Sequence, residues 1–94
     1  MMIEKEIEKC VKEYARSKGW LAYKFVSPGH SFVPDGILIS PSGKVIFVEF
    51  KQLGKKPSAG QEREHQRLRQ SKVLVHVIDT VAKGQEMVDE NRDN

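Results

Sequence analysis

Residues 35–51 read DGILIS-PSGK-VIFVEFK, and this stretch sets the architecture. Asp35–Ser40 and Val45–Lys51 are rich in branched and aromatic residues, and they flank Pro41-Ser42-Gly43-Lys44, a tetrapeptide with turn chemistry. The spacing predicts an antiparallel hairpin. Side chains alternate faces along a strand. Val45, Phe47, Glu49 and Lys51 therefore share one face, and Ile46, Val48 and Phe50 the other. The second face is wholly apolar; the first starts apolar and ends with a carboxylate beside an ammonium. On the partner strand Asp35, Ile37 and Ile39 share a face, with Asp35 at its entry. A hairpin turned at 41–44 sets the start of one strand next to the end of the other. Asp35 thus falls beside Glu49 and Lys51.

Upstream, Ile3, Ile7, Cys10, Val11, Tyr14 and Ala15 recur every three or four residues, the stripe of an amphipathic helix that ends at Gly19. Trp20–Val26 reads as a strand and Ser27–Ser31 as a loop. Downstream, a loop over Gly54–Gly60 leads to a polar helix over Gln61–Ser71 with Leu68 as its apolar anchor, then a strand over Val73–Ile78. Asp79 or Thr80 caps a last helix carrying Val81, Met87 and Val88. The order α-β-β-β-α-β-α predicts an α/β fold, a mixed sheet flanked by helices, because a parallel strand pair needs a crossover element.

Ninety-four residues support one modest core, so residues 1–94 form a single domain, with its core over about 3–80 and an acidic helix or tail over 81–94. That length excludes a cofactor fold beside a separate substrate fold. The lone Cys10 excludes a disulfide framework and a multi-cysteine zinc site. No apolar run reaches the roughly 20 residues of a membrane helix, so a cytoplasmic protein with no membrane partner is expected. The net charge of +3 conceals an uneven spread: residues 51–72 sum to +5, whereas 79–94 sum to −3. A cationic surface directly after the Glu49–Lys51 pair suits a phosphate backbone, which it positions without reading sequence.

Clustered carboxylates repel one another and lose hydration near a core. A hard divalent cation such as Mg²⁺ resolves both costs, since it takes carboxylate, carbonyl and water oxygens. With Lys51 alongside, the set suits metal-assisted phosphodiester hydrolysis. The plainer alternative makes Glu49 and Lys51 a rim ion pair and Asp35 part of a Pro-Asp-Gly turn. His65 lies one helical turn after Gln61 and is a candidate DNA contact. His76 shares a face with Leu74 and Ile78 and reads as a core or rim histidine. His30 is a loop residue near Asp35, Lys24 either faces an edge or meets phosphate, and Cys10 reads as core. No G-x-x-x-x-G-K-[ST] phosphate loop is present, which argues against ATP use.

Pro34-Asp35 followed by Glu49-Phe50-Lys51 resembles the PD-(D/E)xK signature of restriction-endonuclease-like nucleases. The setting is tighter: Gly19, Leu21–Phe25, Ser27-Pro28-Gly29, Val33-Pro34-Asp35, Val48–Lys51, then Gln61, His65 and Leu68. That series resembles the VRR-NUC (virus-type replication–repair nuclease) family over about residues 3–80. Phages encode such domains as stand-alone proteins, and the Fanconi-anaemia-associated nuclease ends in one that acts on branched DNA. The resemblance implies a Mg²⁺- or Mn²⁺-dependent endonuclease for branched DNA or Holliday junctions. Asp35 and Glu49 would bind metal with the Phe50 carbonyl as a third oxygen, Lys51 would be the catalytic lysine, and Gln61 would lie near the scissile phosphate. One first-helix glutamate should join them; Glu8 fits best, with Glu4 and Glu6 as alternatives. Lys24, Lys55, Lys56, Arg63, His65 and Arg67 are the expected DNA contacts, and a homodimer is expected because a junction presents two strands. One departure is visible: Gln70-Ser71-Lys72 stands where the family has a glycine before its last strand. The rival expectation is a non-catalytic nucleic-acid-binding module that kept the fold, against which the complete set of Asp35, Glu49, Lys51 and Gln61 argues.

Overall fold

The computed structural model describes residues 2–92. Its elements follow the predicted order: α1 (Glu4–Ser17), β1 (Leu21–Lys24), β2 (Gly36–Ile39), β3 (Val45–Phe50), α2 (Ala59–Gln70), β4 (Leu74–Ile78) and α3 (Val81–Glu90). The four strands form one sheet in the order β1-β2-β3-β4. β1–β2 and β2–β3 pair antiparallel; β3–β4 pair parallel, joined across α2. Mixed α/β architecture is thus a direct consequence of the hairpin and the one crossover helix.

The register, Gly36 opposite Val48 and Ile39 opposite Val45, puts Leu38, Ile46, Val48 and Phe50 on one face, each 0% exposed. α1 and α3 cover that face with Ile7, Val11, Ala15, Met87 and Val88. The core therefore runs past residue 80 into α3, whose start is fixed by Thr80 Oγ1 accepting the Lys83 N–H at 3.0 Å. Residues 93 and 94 of the expected acidic tail lie outside the described residues. Ile3, expected in the α1 stripe, is 53% exposed, because it is the extended N-cap residue and not yet helical. Cys10 is only half-buried.

The strands are shorter than their apolar runs. β1 stops at Lys24 rather than Val26, and its partner β2 starts only after Pro34-Asp35. Proline has no N–H for a ladder, so pairing fails at residue 34.

α2 starts two residues earlier than its polarity suggests. Ser58 and Gln61 form a capping box: Ser58 Oγ accepts the Gln61 N–H at 3.2 Å and Gln61 Oε1 accepts the Ser58 N–H at 2.9 Å. Its inner face is also more polar than expected. Leu68 is half-buried, whereas Gly60, Glu64 and His65 are buried.

Lys72, in the Gln70-Ser71-Lys72 turn before β4, is left-handed at φ 67°. An L-residue there costs roughly 1–2 kcal/mol relative to its favoured conformations. Lys72→Gly is expected to raise stability by about 1 kcal/mol, read as a higher denaturation midpoint at unchanged slope. An unchanged or lower midpoint would contradict the strain assigned to this turn.

Candidate active site

Three chain segments meet at the open end of the hairpin, where Pro34 interrupts the β2–β3 ladder. Extending the register places Pro34 opposite Phe50. With no proline N–H to offer, the Phe50 carbonyl gains no donor from that residue. The Phe50 N–H donates to Asp35 Oδ2 at 2.9 Å. The proline thus takes a donor from the Phe50 carbonyl, and the Phe50 N–H orients Asp35 beside it.

Glu49, on the same face as Asp35, is 2% exposed. Its Oε2 accepts from Gln61 Nε2 at 3.2 Å, while Oε1 is buried and meets no donor among the described residues. Burial first, then the adjoining Asp35 carboxyl and the charge of Glu4, push the Glu49 carboxyl up to about 8; the Lys51 ammonium pulls the other way. Lys51 is half-buried just past β3, and its backbone N–H still donates to the Ile78 carbonyl at 2.9 Å. Asp35, Glu49 and Lys51 therefore come together as the hairpin argument requires.

Glu4 is the first-helix carboxylate whose charge acts on Glu49. Glu8, favoured from the sequence, is paired with Lys12, Oε2 to Nζ at 2.7 Å. Glu6 is spent on the Ile3 N–H at 2.9 Å. Glu4 and Glu8 are one turn apart on one helix face, so periodicity cannot choose between them.

Gln61 and His65, one turn apart on α2, both face Glu49. The cap holds Gln61 Oε1, which aims Nε2 at the Glu49 carboxyl. His65 is 0% exposed, with Nε2 lying 3.5 Å from Glu49 Oε1 and neither ring nitrogen hydrogen-bonded among the described residues. A fully buried ring cannot meet DNA, so the expected contact at His65 is corrected to a neighbour of Glu49. Its burial also lowers its pKa and keeps the ring neutral. His30 is tied to α2 by Glu64, Nε2 to Oε1 at 2.7 Å. His76 is half-buried among the α1–α3 side of the sheet, and burial lowers its pKa as well. Lys24, Lys55, Lys56, Arg63 and Arg67 are all exposed, Arg67 lying 3.6 Å from Glu64.

The sequence reading missed Pro34 as the ladder breaker and Ser58 as the residue that orients Gln61. Both had visible signals: a proline at a strand entry, and a serine three residues before a glutamine. Among the described residues, no group of three or more His, Cys, Asp or Glu side chains is arranged to hold a cation. The donors on offer are two carboxylates and a backbone carbonyl. That sparse set fits Mg²⁺, which keeps several waters and takes substrate phosphate oxygens to complete its shell.

No protein-family model matches the sequence. The chain is 52% identical over 65 residues to “Putative nuclease p44” of Acyrthosiphon pisum secondary endosymbiont phage 1, covering 69% of this chain and 70% of that protein. A solved structure described as a VRR_NUC domain superposes with a TM-score of 0.86 at 31% identity, covering 94% of this chain and 96% of the other. On that fold and that identity, this chain belongs to the VRR-NUC family.

Proposed function

We propose that the protein is a Mg²⁺- or Mn²⁺-dependent DNA endonuclease that hydrolyses phosphodiesters in branched DNA, Holliday junctions included, and works as a homodimer in the cytoplasm, the host's if a phage encodes it. The buried Glu49 carboxyl carries this reading. Its Oε1 meets no donor among the described residues, its neighbour is a second carboxyl, and a cation in place of the proton would relieve both.

Asp35, Glu49 and the Phe50 carbonyl would hold the ion. When bound, a divalent cation polarises a phosphate oxygen and makes water acidic enough to attack near neutral pH. Lys51 presents an ammonium at the same strand end, where it holds the attacking water or offsets negative charge growing on the phosphate. Gln61 keeps Glu49 in one orientation through Nε2, itself fixed by the Ser58 cap. Glu4 adds negative charge at the mouth of the site. The exposed Lys55, Lys56, Arg63 and Arg67 flank it and suit backbone phosphates.

A homodimer suits the uncovered sheet face. α2 packs on β4, which leaves Leu21, Tyr23 and Val45 51%, 52% and 42% exposed, beside half-buried Ile37, Ile39 and Phe47. β1 is an unpaired edge next to them. An apolar patch of this kind marks an interaction surface. The rival, a binding module without activity, requires a damaged site, whereas all four chemical groups are present.

The test incubates the chain with labelled duplex, flap and four-way junction DNA and Mn²⁺, alongside a light-scattering mass. Metal-dependent cutting of the branched substrates by a species of twice the chain mass is expected. Intact substrates at every metal concentration would overturn the enzyme, and a monomer mass would overturn the dimer.

A further inference from the structure

Lys5, Lys9, Lys12 and Arg16 follow one another at spacings of four, three and four, which is one face of α1. Ile7, Val11 and Ala15 anchor the opposite side in the core. Between this cationic face and Lys24 at the end of β1 lies a groove of about 420 Å³. Glu8 and Glu13 also line it, but Glu8 is already paired with Lys12. Arg16 is anchored too, donating from Nη2 to the Ala22 carbonyl at 2.9 Å. Lys5, Lys9 and Lys24 are exposed. The net charge of +1 over residues 1–18 conceals this segregation.

The groove borders the candidate active site through Lys24, which pairs with Gly36, the residue after Asp35. Lys5 adjoins Glu4, whose charge reaches Glu49. Lys12 Nζ lies 3.7 Å from where a side-chain carbon on Gly36 would stand, and Gly36 follows Asp35 directly. From Lys5 to Arg16 the helix rises about 16 Å. One DNA strand presents a phosphate about every 3.4 Å along the duplex axis, so the face spans about five of them.

We propose that this groove is a second backbone track, on which a duplex arm flanking the cleavage point lies with its phosphates on Lys5, Lys9 and Lys24. The proposal rests on the nuclease reading and extends it to a surface outside the reacting groups. It gives the protein a grip on DNA that approaches the site from the α1 side, opposite the cations of α2. Holding one arm on each side of a single small site is a means of selecting by branch shape.

The test measures binding, not cutting, in a Lys51→Ala parent with a fluorescent four-way junction and a fluorescent 30-bp duplex over a salt series. Lys5→Gln, Lys9→Gln and Lys24→Gln together are expected to weaken junction binding at least about tenfold at 0.1 M salt and to reduce the slope of log affinity against log salt by about 2–3. Lys83→Gln, on exposed α3 and off the groove, is the control and should change neither. A triple variant with the slope and affinity of its parent overturns the track while leaving the nuclease reading intact. A parent that binds no DNA at all overturns both. Matching thermal midpoints for parent and variants separate lost contacts from lost folding.

Discussion

Lys51→Ala is expected to lower the cleavage rate by about 10²–10⁴ while leaving the fold in place, the range associated with removing one positioned proton-transfer or charge-stabilising group. The two consequences separate because Lys51 has two separate jobs. Its backbone N–H continues the sheet by donating to the Ile78 carbonyl at 2.9 Å, and alanine keeps that bond. Its side chain is half-buried, so truncation opens no deep cavity. What alanine removes is the positive charge that partly offsets Glu49. Lys51→Arg keeps a charge but spreads it over a planar fork that cannot sit as a compact point. It should recover binding more than rate. The measurement is single-turnover cutting of labelled junction DNA with Mn²⁺, with a denaturation curve for each variant. A Lys51→Ala chain that cuts as fast as the parent would show that the site is assigned wrongly.

The second large effect has opposite signs for activity and stability. Glu49→Gln should cut at least about 10³ more slowly, because it removes one of two carboxylates that would hold the cation. The same variant should be more stable than the parent without metal. The sign follows from linkage. Glu49 is raised from 4.5 to about 8 in the folded chain, so the folded state keeps a proton that the unfolded chain releases. Stability is fully present below pH 4.5 and falls as pH climbs through the folded value near 8. The loss therefore grows with pH across that window. Glutamine has no charge to lose, and its oxygen can still accept from Gln61. A gain of about 1–3 kcal/mol at pH 7, vanishing near pH 4, is expected from denaturant unfolding. In the parent, apparent Mn²⁺ affinity should rise about tenfold per pH unit up to about pH 8, as the metal displaces one proton. A parent without this slope, or a Glu49→Gln chain less stable than it at pH 7, would refute the account of the buried carboxyl.

These two residues were legible in the sequence for a simple reason. Strand alternation and a four-residue turn are local, so DGILIS-PSGK-VIFVEFK already places Asp35, Glu49 and Lys51 at one end of one face. The solvent exposure of Lys55, Lys56, Arg63 and Arg67 was legible on the same terms, since charged side chains stay in water unless paired. The burial of His65 was not. Residues 61, 65 and 68 share one face of α2, so periodicity groups them but does not say how deep that face sits. The depth is set by how α2 docks on the sheet, with Gln61 and His65 against Glu49. Which first-helix carboxylate is paired was not legible for a related reason: Glu4 and Glu8 repeat at one turn, and only the folded chain shows Lys12 on Glu8 and the charge of Glu4 reaching Glu49.

The amino-acid sequence by itself therefore determined the order of elements, the mixed sheet, and the meeting of two carboxyls with a lysine, because each follows from short-range periodicity and turn chemistry. The tertiary structure alone decided which groups surround that meeting point: Glu8 paired with Lys12, His65 inside the protein, a carbonyl opposite a proline, and a cationic groove beside α1. Those depend on the rotation and depth of whole helices against the sheet, which packing of side chains distant in the chain sets and no local pattern encodes.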